Sequence, residues 1–180
     1  ALKRVDIPDS VTEIGYLAFR GCAVRTVKIP SSLKKLGMNA FAGCYQLRKF
    51  EGGTGKSYMV KDGVLYNRKG TTLIQYPAKK QDKKFTVPNK VKIVKSLAFD
   101  HVRKIRTLEF GRSLERLGYQ SIYHCSSLKS IAFTNRNADK NMQVRYNAVA
   151  DCDQLAVIIG PNSYALRSLA YNANATFITM

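Results

Sequence analysis

Apolar residues fall in a fixed rhythm along the chain: Leu2, Val5, Ile7; Val24, Val27, Ile29; Ile105, Leu108, Phe110; Leu128, Ile131, Phe133. The last two of each set are spaced by two, as in a strand that buries one face, so the residues between them point outward. A second short extended stretch follows a Pro or Gly turn, at Val11 to Ile14, Leu33 to Leu36 and Leu114 to Leu117. An Ala-Phe pair comes next, at Ala18-Phe19, Ala40-Phe41 and Ala98-Phe99, and is expected in a helical or irregular turn. The small residue permits close approach and the ring fills a core, so Phe19 and Phe41 are both expected to be buried. Ile7-Pro8, Ile14-Gly15 and Cys22 return as Ile29-Pro30, Leu36-Gly37 and Cys44, each 22 residues on. A period of roughly 20–29 residues marks a solenoid, in which no unit buries its apolar set alone and stacking at about 4.8 Å makes one continuous core.

The pattern continues with departures. Val102 stands where the cysteine was, Lys95 where the glycine was, and Ser121-Ile122 where Ala-Phe was. A fifth unit opens at Leu128, Ile131 and Phe133, breaks off, and resumes at Ala148-Val149 and Cys152. The polar stretch Thr134 to Tyr146 between is expected to be a loop. Tyr58 to Ala78 carries Asp62-Gly63 and Lys69-Gly70 turn signals between Val-, Leu-, Ile- and Tyr-rich runs. It is expected to form two or three antiparallel strands projecting from the stack, with Tyr58, Tyr66 and Tyr76 either packing that sheet or offering contact area.

The Leu-x-x-Ile-x-Ile-Pro and Ile-Gly-x-x-Ala-Phe-x-x-Cys arrangement, repeated from Leu2 to about Phe177, resembles the BspA-like type of leucine-rich repeat of bacterial surface and secreted proteins. The hairpin segment and the stretch Ser163 to Phe177, read as a short helix and a last strand, are similar to that family's insertion and terminal unit. The resemblance implies a mainly β repeat solenoid: a right-handed leucine-rich-repeat-like coil with short parallel strands, few short helical turns and one β-hairpin insertion. It is expected as one domain over 1–180, with repeats at 1–46 and 85–155, the insertion at 47–84 and a capping unit at 156–180. The resemblance implies a non-enzymatic binding module, extracellular or on a cell surface, engaged in protein–protein or cell–matrix adhesion.

At 180 residues and 45% hydrophobic, the chain buries a full core as one domain. No apolar run reaches the roughly 20 residues of a membrane span. The chain opens inside a repeat, so an upstream segment bearing a signal peptide is expected to have been removed, whereas the closing unit before Met180 reads as a natural end. The cysteines are spaced by 22, 81 and 27 residues, which fits no zinc pattern. All four hold one repeat position, where Val102 also serves, so free thiols in the core are expected. Cys22 and Cys44 are stacked neighbours that could pair only within tight disulfide geometry.

Thirty Lys and Arg against 12 Asp and Glu give a net charge of +18, a field that attracts polyanions. Outward residues of the first strands are mixed in charge. The densest basic clusters lie elsewhere: Lys79, Lys80, Lys83 and Lys84; Lys90, Lys92 and Lys95; Arg103, Lys104 and Arg106. If stacking gathers these ten on one face, that face is the candidate polyanion site. The partner is then a protein or an anionic polymer or glycan, with nucleic acid the least favoured. No catalytic constellation is present. His101 and His124 read as turn residues, and Gly52 to Ser57 lacks the first glycine and the following helix of a phosphate loop. No metal or cofactor is expected.

Overall fold

The computed structural model describes residues 5–134 and 142–180. Three parallel ladders run along the chain axis: one for each of the two extended stretches read from the sequence, and a third where the Ala-Phe position, expected in a helical or irregular turn, forms short paired strands from Phe99 onward. The first joins β2 (Thr26–Ile29) to β4 (Lys49–Gly52), and separately β8 (Lys84–Val87), β11 (Thr107–Phe110), β14 (Ser130–Phe133), β17 (Val157–Gly160) and β18 (Thr176–Thr179). The second joins β1 (Glu13–Ile14) to β3 (Lys35–Leu36), and β9 (Ile93–Val94) to β12 (Arg116–Leu117) and β15 (Gln143–Val144). The third joins β10 (Phe99–Asp100), β13 (Ile122–Tyr123) and β16 (Val149–Ala150). The result is the right-handed solenoid that parallel crossovers favour, mainly β.

Register confirms the repeat arithmetic. Phe85, Leu108, Ile131, Ile158 and Phe177 lie side by side in the first ladder, and all point inward. Their neighbours Thr86, Glu109, Ala132 and Ile159 form the outward row. Val102 is fully buried in the slot of the cysteines. Phe19 is the exception: Phe41 is 2% exposed, but Phe19 is only half-buried. It stacks on Phe41 at 5.4 Å, and no described ring covers its other side.

Two left-handed backbone positions recur in the coils. Leu17, Asn39, Leu97, Gln120 and Asn147 share the first, with φ between 47° and 57°. Gly21 and Gly43 take the second, and His101, His124 and Asp151 stand in it further on. Both histidines are therefore turn residues, in a conformation that glycine adopts without strain. Glycine is required at position 37 for another reason. A Cβ there would lie 2.3 Å from the backbone of Gly15 in the preceding coil.

The hairpin does not project from the stack as its sequence suggested. Its strands β5 (Tyr58–Lys61), β6 (Val64–Asn67) and β7 (Thr72–Gln75) are antiparallel, but β7 pairs parallel with β9 and so extends the second ladder. Asp62 and Gly63 both have positive φ, the geometry of a tight hairpin turn. Val64, Leu65 and Tyr66 are all buried because β6 lies between two cores. Val64 and Tyr66 face the larger cluster, and Leu65 faces the smaller one around Val27, Phe41 and Phe50. Tyr76 is buried too, stacked on Phe99 at 5.3 Å, so packing is the role of Tyr66 and Tyr76.

The insertion interrupts the third ladder, and Asp100 repairs the break. Elsewhere the N–H of the second left-handed residue donates to the next coil, as Gly21 does to Ala42 and His101 to Tyr123. Gly43 instead donates to the Asp100 carboxylate at 2.7 Å, which also lies 2.6 Å from His101 Nδ1. Asp100 is 6% exposed. Replacing it by alanine would leave the Gly43 donor without this partner. The expected cost is about 1.5–3 kcal/mol, the range for hydrogen bonds to charged groups, read from the denaturation midpoint. A loss below about 0.5 kcal/mol would show that Asp100 is not holding the coils together.

At the C-terminal end, α1 (Tyr164–Asn172) is capped by Ser163, whose hydroxyl accepts from the Leu166 N–H at 3.1 Å. The helix buries Leu166, Leu169 and Ala170 against the last coils. The predicted loop Thr134 to Tyr146 lies partly outside the described residues, at 135–141. Its end is not loop: Met142 is buried and Gln143–Val144 form β15.

Candidate binding surfaces

The ten basic residues singled out by sequence are spread over three surfaces. Lys83, Lys84 and Arg106 lie at the entry to the first ladder. Lys90, Lys92 and Lys95 lie along the second. Lys79, Lys80, Arg103 and Lys104 lie at the corner where the third stretch returns to the first. Three are neutralised locally: Lys80 by Asp82 at 2.6 Å, Lys84 by Glu109 at 2.8 Å and Lys92 by Glu115 at 2.8 Å. The Lys84 ammonium in turn holds the Glu109 carboxyl below its ordinary range. Lys79, Arg103 and Lys104 do converge, around a hollow of about 100 Å³ shared with Tyr45, Gln46 and Gln81.

Stacking assembles two arrangements that the local clusters hid. The first is a column at the entry to the first strands. The Arg106 N–H donates to the Lys83 carbonyl and that of Lys129 to the Arg106 carbonyl, so these three exposed cations lie on consecutive coils. Arg25 and Arg48 are related in the same way.

The second is a groove of about 610 Å³ across the second ladder. Its lining includes Lys95, Arg116 and Arg145, the rings of Tyr58 and Tyr119, and Met38, and no Asp or Glu. The register Ile93–Arg116–Gln143 and Val94–Leu117–Val144 puts Lys95, Gly118 and Arg145 in one row. Lys95 and Arg145 are therefore two coil steps apart, about 10 Å, with the side-chain-free Gly118 between them. Among the described residues none of these three cations has a carboxylate within ion-pair distance. The residue after each repeat's glycine position, namely Tyr16, Met38, Ser96, Tyr119 and Tyr146, forms a column beside this row. The period of the sequence contains that column, although it attracts no attention residue by residue.

A strip of rings crosses the third ladder. Tyr45 lies 4.3 Å from His101, His101 4.6 Å from His124, and Tyr123 4.1 Å from His124. Carboxylates of Asp100 and Asp151 adjoin the two imidazoles. Among the described residues no three His, Cys, Asp or Glu side chains are grouped to hold a metal ion. The four cysteines are free thiols; Cys44, Cys125 and Cys152 are buried, and Cys22 is half-buried rather than enclosed. Burial pushes the Cys44 thiol from its ordinary 9.0 up to about 12. The hydrogen bond with Cys152, then burial, pushes Cys125 up as well. Neither thiol is poised as a nucleophile.

No helix among the described residues is long and apolar enough to cross a membrane. No curated protein sequence matches the chain. Among solved structures it is similar to a leucine-rich cell surface protein of Faecalibacterium prausnitzii A2-165, at 26% identity and a TM-score of 0.66, over 96% of this chain and 52% of that one. A leucine-rich repeat protein of Eubacterium ventriosum shares the fold at 22% identity and a TM-score of 0.73, over 99% of this chain and 55% of that one. The pneumococcal vaccine antigen PcpA does so at 18% and 0.56, over 94% and 60%. The chain thus spans about half the length of the first two structures it matches. The profile of the BspA type leucine-rich repeat region matches residues 1–80 and 76–176, with six copies in all. On that match, which covers nearly every coil of the solenoid, the chain belongs to the BspA type leucine-rich repeat family.

Proposed function

We propose that this chain is a non-catalytic binding module of a bacterial protein that is secreted or displayed at the cell surface, and that it mediates adhesion to a protein or polymer of the surroundings. The observation that carries this reading is the surface itself. The solenoid presents long rows of side chains on a rigid frame, a form suited to holding a partner, and the similar Faecalibacterium protein is described as a cell surface protein. A second reading, polyanion binding, is favoured by the net charge of +18 and by the unneutralised cations of the groove and the entry column.

Beads coated with the domain are expected to retain extracellular-matrix proteins or acidic polysaccharides. Retention should exceed that of beads carrying a non-repeat protein of equal net charge. Retention no greater than this control, at low and at physiological salt alike, would overturn the adhesion reading. Retention that survives high salt would favour a protein partner, because binding driven by counterion release weakens steeply there.

A further inference from the structure

We infer that the groove across the second ladder is a binding site for an acidic oligosaccharide, one whose sugars carry carboxylate or sulfate groups. The inference rests on the adhesion reading and deepens it by naming a ligand class and a place. Lys95, Arg116 and Arg145 supply fixed positive charge, and no acidic residue lines the groove. Glu115, the nearest rim carboxylate by sequence, is already engaged by Lys92 at 2.8 Å. Lys95 and Arg145 stand about 10 Å apart, which is close to the length of a disaccharide, so the two can meet acid groups on alternate sugars. Gly118 sits against the Lys95–Ser96 backbone, where a Cβ would lie 2.5 Å from the Ser96 nitrogen, so no side chain rises between the two cations. Tyr119, 48% exposed, offers a flat face of the kind that packs against the C–H face of a pyranose, and Tyr58 walls the groove from the insertion side. The volume, about 610 Å³, falls within the range of small-molecule sites.

The same geometry disfavours other anions. An acidic peptide binds a sheet most readily by adding a strand to a free edge. Of the strands that line this groove, β6, β7, β9 and β12 have hydrogen-bonded neighbours on both sides, whereas β3 and β5 end their sheets, so an oligoglutamate probe tests strand addition there. Duplex nucleic acid is far wider than a furrow between coil rows. The entry column of Lys83, Arg106 and Lys129 matches the groove in charge but belongs to the first ladder, apart from Tyr58 and Tyr119.

The test is calorimetric titration of the whole chain with four probes: a heparin-derived tetrasaccharide, a tetragalacturonate, maltotetraose and an oligoglutamate. One or both acidic sugars should bind, the stronger naming the acid group, while maltotetraose and oligoglutamate bind at least about tenfold more weakly. The triple variant K95S/R116S/R145S should lose about tenfold or more in affinity for the acidic sugar. Tyr119→Ser should weaken binding several-fold with no change in net charge. The charge-matched variant K83S/R106S/K129S should stay within about threefold of the wild type. As a readout that needs no variant, the bound tetrasaccharide should protect Lys95 from amine acetylation. The inference is overturned if neither acidic sugar binds, if the entry-column variant loses as much as the groove variant, if Tyr119→Ser has no effect, or if oligoglutamate binds as well as the sugars. Should the wild type bind no sugar yet still retain matrix protein on beads, the groove assignment fails while the adhesion reading stands.

Discussion

Phe41→Ala is expected to cost about 3–5 kcal/mol, as truncation of a buried ring does when the surroundings cannot close over the space. Phe41 is 2% exposed, stacks on Phe19 at 5.4 Å and meets Phe50 edge-on at 5.3 Å. The loss is large against a total stability of about 5–15 kcal/mol for a native domain. Phe19→Ala, at the same repeat position one coil earlier, is expected to cost about 1–2 kcal/mol, because a half-buried ring has less area to lose. Urea denaturation of both variants checks the pair. Equal costs would mean that Phe19 is enclosed as fully as Phe41, and a loss below about 1 kcal/mol for Phe41 would contradict the column of stacked rings.

The thiols give the second large effect. At pH 8 an ordinary thiol with a pKa of 9.0 is about one-tenth thiolate, whereas Cys44 at about 12 is about 10⁻⁴ thiolate. Alkylation of Cys44 in the native protein should therefore run roughly 30-fold slower than that of an open thiol before shielding is counted, because the greater nucleophilicity of a more basic thiolate offsets part of its scarcity. Cys22 is expected to label first and Cys125 to resist. Mass spectrometry of the labelled native protein settles the order, and labelling of all four at the free-thiol rate would contradict the burial. The same shift has a thermodynamic side. A thiol whose pKa is raised by folding contributes stability in full below its unfolded value near 9.0, and loses it as pH climbs toward the folded value near 12. Burial drives the phenols of Tyr66 and Tyr76 in the same direction, so the denaturation midpoint should fall on the alkaline side.

Legibility in the sequence followed periodicity. The spacing kept inside each unit, with offsets of 22 and then 23 residues, was enough to place Val102 with the cysteines and to put Thr86, Glu109 and Ala132 in one outward row, because the hydrogen-bonded register of stacked coils copies sequence position into space. The insertion broke that logic. Its alternating apolar residues read as a hairpin with one packed face, but β6 has cores on both faces, and nothing local to Val64–Asn67 states that. Basic residues close in sequence also misled. Lys83 and Lys84 adjoin along the strand but point apart, whereas Lys95 and Arg145, fifty residues distant, share a groove. Asp100 was invisible for the same reason: its partner Gly43 lies 57 residues away across the insertion.

That insertion has a mechanical consequence. The two hydrophobic clusters, Ile7 to Leu65 and Val64 to Ala170, meet at the hairpin, and the first ladder is unbroken only on either side of it. In a molecule held together by nearest-neighbour contacts, such a seam divides cooperativity. Tension along the axis would thus release the short N-terminal block as a separate step and leave the longer block, with the sugar groove's cations, still wound.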